Sequence, residues 1–316
     1  MIRTVLCDML GIEHPIVQGG MAWVATAELV AAVSEAGAFG ILGGGNAPPD
    51  YVRAQIRETK RRTQKPFGVN IPLFSPYVDD LVSICIEEGV RAVATGAGNP
   101  GPYIPRLKEA GIVCMPVVAS VALAKRLERM GADIIVAEGM ESGGHIGDLS
   151  TMPLVPQVVD AVRVPVVAAG GFADGRGLVA ALALGAAGIQ MGTRFVCTTE
   201  CTVHENYKRK IVEAGDRATM TTGHSLGHPV RAIKNAMTHE FQEMERRGAS
   251  EQEIIEFGTG RLRLAAEQGD VVHGSVMAGQ VSGMINDIVS CRELVERIVR
   301  QAEEIIGALP AVVSRG

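Results

Sequence analysis

From residue 15 to residue 191 the chain alternates short β-branched apolar runs with longer stretches of helical periodicity, and this alternation limits its fold more than any other feature. Eight runs read as strands, at 15–18, 39–42, 67–71, 92–95, 113–117, 134–138, 165–169 and 188–191. Runs such as Ile134-Ile135-Val136-Ala137 are apolar at every position, as strands are when both faces of a parallel sheet are covered. Helical spacing fills intervals at 27–36, 51–63, 78–88, 122–130 and 178–184. Eight strand-plus-helix units suit a closed (β/α)8 barrel, whereas a doubly wound open sheet normally stops near about six strands. The expected fold class is therefore an α/β TIM barrel, with its active face where the strands end.

After Arg194 the rhythm lapses, and apolar positions recur at helical spacing over 204–214, 232–246, 251–267 and 292–306. The organisation expected is a barrel over residues 1–200, a mostly helical lobe over 201–290, and a closing helix over 291–316 that packs back on the barrel. A chain of 316 residues with 47% apolar side chains, 38 glycines and 4% aromatics has the material for an aliphatic parallel sheet with many tight turns.

A net charge of −5, from 30 basic and 35 acidic side chains, gives no overall basic field, so nucleic acid is not an expected partner. The N-terminus lacks a basic stretch followed by a long apolar run, and no apolar run approaches membrane-spanning length, so a cytoplasmic protein is expected. The six cysteines are scattered and read as reduced thiols. Cys197 and Cys201 lack the companions of a tetrahedral metal site, so no metal is expected.

Glycines and amide side chains crowd the strand ends: Gly19-Gly20-Met21-Ala22, Gly43-Gly44-Gly45-Asn46, Asn70, Thr95–Asn99, Glu138 and its following loop, Gly170-Gly171 and Gly192-Thr193. Absent side chains let a flat ring and a phosphate approach the backbone, whose N–H groups can bond an anion. Loops after the seventh and eighth strands are where barrels commonly hold a phosphate, and FMN offers one phosphate and one flat ring. The plainer alternative is that these glycines only make tight turns. In Glu138-Gly139-Met140-Glu141-Ser142-Gly143-Gly144-His145 one imidazole stands among glycines whose flexibility would let it enter the barrel mouth and move or donate a proton. His14, His204, His239 and His273 read instead as structural histidines.

Two motifs mislead. Gly96-Ala97-Gly98-Asn99-Pro100-Gly101 matches a dinucleotide fingerprint, but Pro100 removes a donor and no acidic residue closes a second strand at the needed distance. Gly223-His224-Ser225-Leu226-Gly227 matches a nucleophile elbow, but it follows no core strand and helical sequence succeeds it.

Taken together, Gln18–Trp23, Gly43–Pro48, Lys65–Asn70, Thr95–Pro100, Ala137–Gly147, Ala168–Gly171, Gln190–Phe195 and Gly227–Asn235 resemble the flavin-dependent enoyl-acyl carrier protein reductases of the nitronate monooxygenase-like group. The barrel motifs suit nitronate monooxygenases too, while Gly227–Asn235 and His273–Gln280 favour the reductases. The resemblance implies bound FMN, NADH or NADPH as co-substrate, an enoyl substrate on acyl carrier protein, a homodimer, and a monovalent-cation effect in some members. By matching motif it also implies that Gly20, Met21 and Ala22 lie against the flavin ring. Asn70, Glu138, Ser142 and Gly143 would touch the cofactor, and Gly170, Gly171, Gln190, Met191, Gly192 and Thr193 would cradle its ribityl chain and phosphate. His145 is the implied catalytic residue. An acidic carrier would call for a basic patch, with Lys208, Arg209, Lys210, Arg231 and Lys234 as candidates, although ordinary solvated helix charge explains them as well. The competing readings are a nitronate monooxygenase and a flavin-binding barrel without turnover. Oxygen uptake with an alkyl nitronate would mark the first, and a yellow protein that no nicotinamide bleaches would mark the second.

Overall fold

The computed structural model describes residues 2–313. Eight parallel strands close into a barrel: β1 (Ile16–Gln18), β2 (Phe39–Gly43), β3 (Phe67–Pro72), β4 (Ala92–Gly96), β5 (Val113–Val118), β6 (Ile135–Glu138), then β8 (Val166–Ala169) and β9 (Gly188–Met191), which pairs back with β1. The numbering skips one strand, β7 (Gly144–His145), because it lies outside the barrel. Helices α2 (Ala27–Glu35), α3 (Pro49–Arg62), α4 (Val78–Glu87), α5 (Ile104–Glu109), α6 (Val121–Arg129), α7 (Thr151–Ala161), α8 (Gly175–Ala183) and the short α9 (Thr193–Val196) follow the strands in turn.

Strand alternation divides the apolar residues into two layers. Val17, Phe39, Ile41, Ala92, Ala94, Met115, Val136 and Val167 fill the lumen, while Ile16, Val69, Val93, Ile135 and Ile189 face the surrounding helices. An N-terminal helix that the periodicity did not suggest, α1 (Val5–Leu10), inserts Leu6, Cys7 and Leu10 into the lumen cluster and stops one end of the barrel. The same alternation turns Asn70, Glu138 and Gln190 inward at the carboxyl ends of β3, β6 and β9, because their neighbours Val69, Ala137 and Ile189 pack outward.

The second lobe is not wholly helical. Beside helices α10 (Glu205–Val212), α11 (Ala236–Arg246), α12 (Glu251–Gly258) and α13 (Arg261–Gln268), the lobe contains strands β10 (Thr219–Thr222) and β11 (Val230–Ile233). The helix expected over 232–246 begins only at Ala236, because Asn235 makes a capping box with Thr238 and the chain before it is extended. The helix expected over 251–267 is broken by Gly260, which sits at φ 78° between α12 and α13. A small apolar cluster of Met237, Phe241, Met244 and Ile254 lies under this lobe.

Helix α14 (Cys291–Val313) returns to the barrel and packs on α8 and α2, burying Cys291, Leu294, Val295, Ile298 and Ala302. No helix among the described residues is long and apolar enough to cross a membrane.

Candidate active site

A cavity of about 520 Å3 opens at the carboxyl ends of the barrel strands, and the second lobe forms part of its wall. Its size is that of a cofactor or small-ligand site. Every site residue named from the sequence lines it: Gly20, Met21, Ala22, Asn70, Glu138, Ser142, Gly143, His145, Gly170, Gly171, Gln190, Met191, Gly192 and Thr193.

The floor is built by close approach. A Cβ on Gly20 would overlap Asn70 Cβ, so only glycine lets the first strand-end loop sit under that amide. The amides of Gly171 and Gly192 find no backbone acceptor in the loops among the described residues, and Ser142 Oγ is buried without a hydrogen-bond partner. Unpaired donors on one cavity wall are what a phosphate-bearing ligand would satisfy. Thr193 is engaged differently, since its Oγ1 accepts from Gly279 N at 2.9 Å and ties the second lobe to the barrel.

Glu138 stands desolvated on this wall. Burial pushes its carboxyl up to about 7, and the Ser142 hydroxyl offsets part of that shift without reaching hydrogen-bond geometry.

His145 occupies the mouth, and the expectation that flexible glycine flanks carry it is corrected by its backbone. It belongs to β7, which pairs antiparallel with β11 in the register Val230↔His145 and Arg231↔Gly144. Ile146 N extends the pairing by donating to Pro229 O at 3.0 Å. Gly143 is small for packing rather than mobility, because a Cβ there would come within 2.7 Å of Ala278 Cα. The His145 ring faces Phe74 at 6.0 Å between centroids, and burial, then the neighbouring His228, pull its pKa below the ordinary 6.5. Both effects favour the neutral ring.

His228 was not among the residues singled out, although its segment was. It lines the same cavity from the loop between β10 and β11. Phe74, Tyr207 and Met277 also line the cavity without having been named. Tyr207 is buried and donates from its hydroxyl to Met277 O at 2.8 Å. No pattern at these positions separates them from core residues, because their role depends on contacts distant in sequence.

Two members of the suggested basic patch are not on the surface. Lys208 is buried, with Nζ donating to Thr198 O at 2.8 Å. Arg231 is buried too, its Nε donating to Met140 O at 3.0 Å and its Nη1 to Thr219 Oγ1 at 3.2 Å. Their charges hold backbone carbonyls instead of facing solvent.

The misleading motifs also find their places. Gly96, Ala97 and Gly98 line the cavity mouth after β4 and open no helix, since α5 starts at Ile104. Ser225 donates to Glu245, and His224 Nε2 pairs with Thr221 Oγ1, so no Ser–His dyad forms. Cys197 Sγ and Cys201 Sγ point to different carbonyls, of Lys208 and Val24.

The structure superposes with a TM-score of 0.97 on FabK from Thermotoga maritima, with 50% sequence identity over 99% of this chain and 100% of that one. A Mycobacterium tuberculosis protein, (3aS,4S,5R,7aS)-5-hydroxy-7a-methyl-1-oxo-octahydro-1H-indene-4-carboxyl-CoA dehydrogenase, is 37% identical over 95% of this chain and 96% of its own. A probable nitronate monooxygenase of Staphylococcus saprophyticus is 33% identical over 96% of this chain and 99% of its own. The family model described as nitronate monooxygenase matches residues 3–301, so with its closed barrel and glycine-lined mouth the chain belongs to the nitronate monooxygenase family.

Proposed function

We propose that the chain is an FMN-dependent enoyl-acyl carrier protein reductase that uses NADH or NADPH to saturate a trans-2-enoyl thioester. The observation that carries this reading is the likeness to Thermotoga maritima FabK, at 50% identity and through the second lobe as well as the barrel. The sequence motifs resemble that same reductase type. The Mycobacterium tuberculosis relative, named for a carboxyl-CoA, adds support for a substrate carried as a thioester.

The residues present fit FMN. The amides of Gly171 and Gly192, beside Gly170, would hold its phosphate, and Gly20, Met21 and Ala22 would back its ring. The orphaned Ser142 hydroxyl and the amides of Asn70 and Gln190 would meet its polar edges. Bound FMN would supply the hydride chemistry between nicotinamide and the enoyl β-carbon. His145, neutral and fixed on β7, would donate an N–H to the thioester oxygen as negative charge develops there. Tyr207, Leu262 and Met277 of the second lobe line the cavity and would help to keep water from that oxygen. For an acidic carrier, the exposed Arg209 would be the first docking charge, with Lys234, exposed but donating to Arg217 O at 2.7 Å, and the half-buried Lys210 as weaker candidates.

The test is anaerobic. The protein's yellow colour should bleach with NADH or NADPH and return on adding crotonyl thioester, while bleaching that only oxygen reverses would reject the reading. Oxygen uptake with an alkyl nitronate would instead support the monooxygenase reading, which the Staphylococcus saprophyticus relative favours. The homodimer is checked by light scattering.

A further inference from the structure

The sequence Gly223-His224-Ser225-Leu226-Gly227 forms no nucleophile elbow, yet it is held with unusual completeness. Glu245, on α11, accepts from Gly223 N at 3.1 Å through one carboxylate oxygen and from Ser225 N at 2.9 Å and Ser225 Oγ at 2.8 Å through the other. Inside the loop, Gly227 N donates to His224 O at 3.1 Å and His228 N to Gly223 O at 3.3 Å. Leu226 packs on the apolar cluster that includes Met244, one residue before Glu245. A charged acceptor serving three donors is stronger than three neutral bonds, because each donor meets an ionised oxygen.

The other end of the same loop is in the cavity. Gly227, His228 and Pro229 line it, and Pro229 O accepts from Ile146 N at 3.0 Å just where β11 begins its pairing with His145. A continuous line of bonded backbone therefore runs from the Glu245 carboxylate, through the loop, to the strand that carries His145.

We propose that Glu245 is a positioning residue, which sets the 223–229 loop and through it the placement of His228 and His145 at the cavity mouth. Glu245 is not among the residues that line the cavity. The inference rests on the enoyl-reductase reading only for the substrate used in its kinetic test.

The experiment compares the full-length, FMN-loaded wild type with Glu245→Ala and Glu245→Gln by amide hydrogen exchange and by steady-state and reoxidation kinetics. In Glu245→Ala, exchange should rise across 223–229 and also at Ile146. Reoxidation of the reduced flavin by crotonyl thioester should slow roughly tenfold with a smaller change in KM, since misplacing a donor that acts as charge develops loses transition-state stabilisation. The rate of bleaching by the nicotinamide should stay unchanged. Glu245→Gln keeps one oxygen for Ser225 and should recover most of the reoxidation rate. Faster exchange that stops at Leu226 and leaves Ile146 protected would overturn the proposal, as would a wild-type reoxidation rate in Glu245→Ala. Should no form reduce an enoyl thioester, the enoyl reading fails, and exchange at Ile146 alone still decides the role of Glu245.

Discussion

A neutral imidazole and a protonatable carboxyl face the same cavity from opposite elements, and their protons respond to pH in opposite senses. For His145 the folded protein resists protonation, so the stability its neutral ring contributes is fully present above 6.5 and is lost as pH falls below 6.5 towards the lowered folded value. For Glu138 the raised value near 7 means that stability is fully present below 4.5 and is lost as pH rises to about 7. The Glu138 shift corresponds to something of the order of 3 kcal/mol. Flavin-free Glu138→Gln should therefore hold its thermal midpoint between pH 5 and 7, where the flavin-free wild type declines, as a melting series would show. His145→Ala should keep FMN and its bleaching by NADH or NADPH but slow reoxidation by crotonyl thioester about 100-fold, the usual worth of one positioned donor. Equal reoxidation rates would remove His145 from the chemistry. Asn70 and Glu138 were readable in the sequence as strand-end residues, Gln190 through its motif's resemblance to the reductases, and His145 as an imidazole at a strand-end loop. His228 was not readable, because what places it is its loop's bond to Ile146, which lies far away along the chain.

At the scale of elements, the barrel was legible because each strand announces itself locally through β-branched runs, and each helix through its apolar stripe. The second lobe was not, since β7 is two residues long and β11 finds its partners in β10 and in a barrel loop. A two-residue strand has no periodicity to detect. Helix α1 escaped for a related reason: its six residues are too few for a face to repeat, and its burial comes from closing the lumen. The β7–β11 pairing yields its own prediction. Replacing Val230 with proline should remove the ladder bond that β11 makes to β10 opposite Thr222 and so loosen the strand paired with His145, slowing reoxidation by the enoyl thioester while leaving FMN content unchanged. Absorbance of the bound flavin checks the second half. Gly20→Ala tests the floor, since its methyl would overlap Asn70, and FMN should then be lost on dialysis.

For the molecule as a whole, barrel and lobe are joined at several separated points. Gly279 N binds Thr193 Oγ1, and Arg263 of α13 stacks its guanidinium 4.5 Å from the centre of the Trp23 ring, which follows β1. Trp23 holds an uncommon φ of 61° and lies 5.7 Å from Tyr51, so its backbone and ring are both fixed by this contact. As Trp23 is the chain's one tryptophan, its emission reports the join, and Arg263→Ala should shift that emission without unfolding the barrel. An unshifted spectrum would mean that the contact does not persist in solution.

The strand carrying His145 has a bearing on ancestry and engineering. It leaves the barrel between β6 and β8 to complete a sheet whose other strands arise after the barrel has closed. The lobe is therefore not a module that recombination could exchange with a single crossover near residue 200. A chimera that took its lobe from another family member would inherit a foreign partner for its own β7, and its success would depend on importing the 139–147 segment together with the lobe.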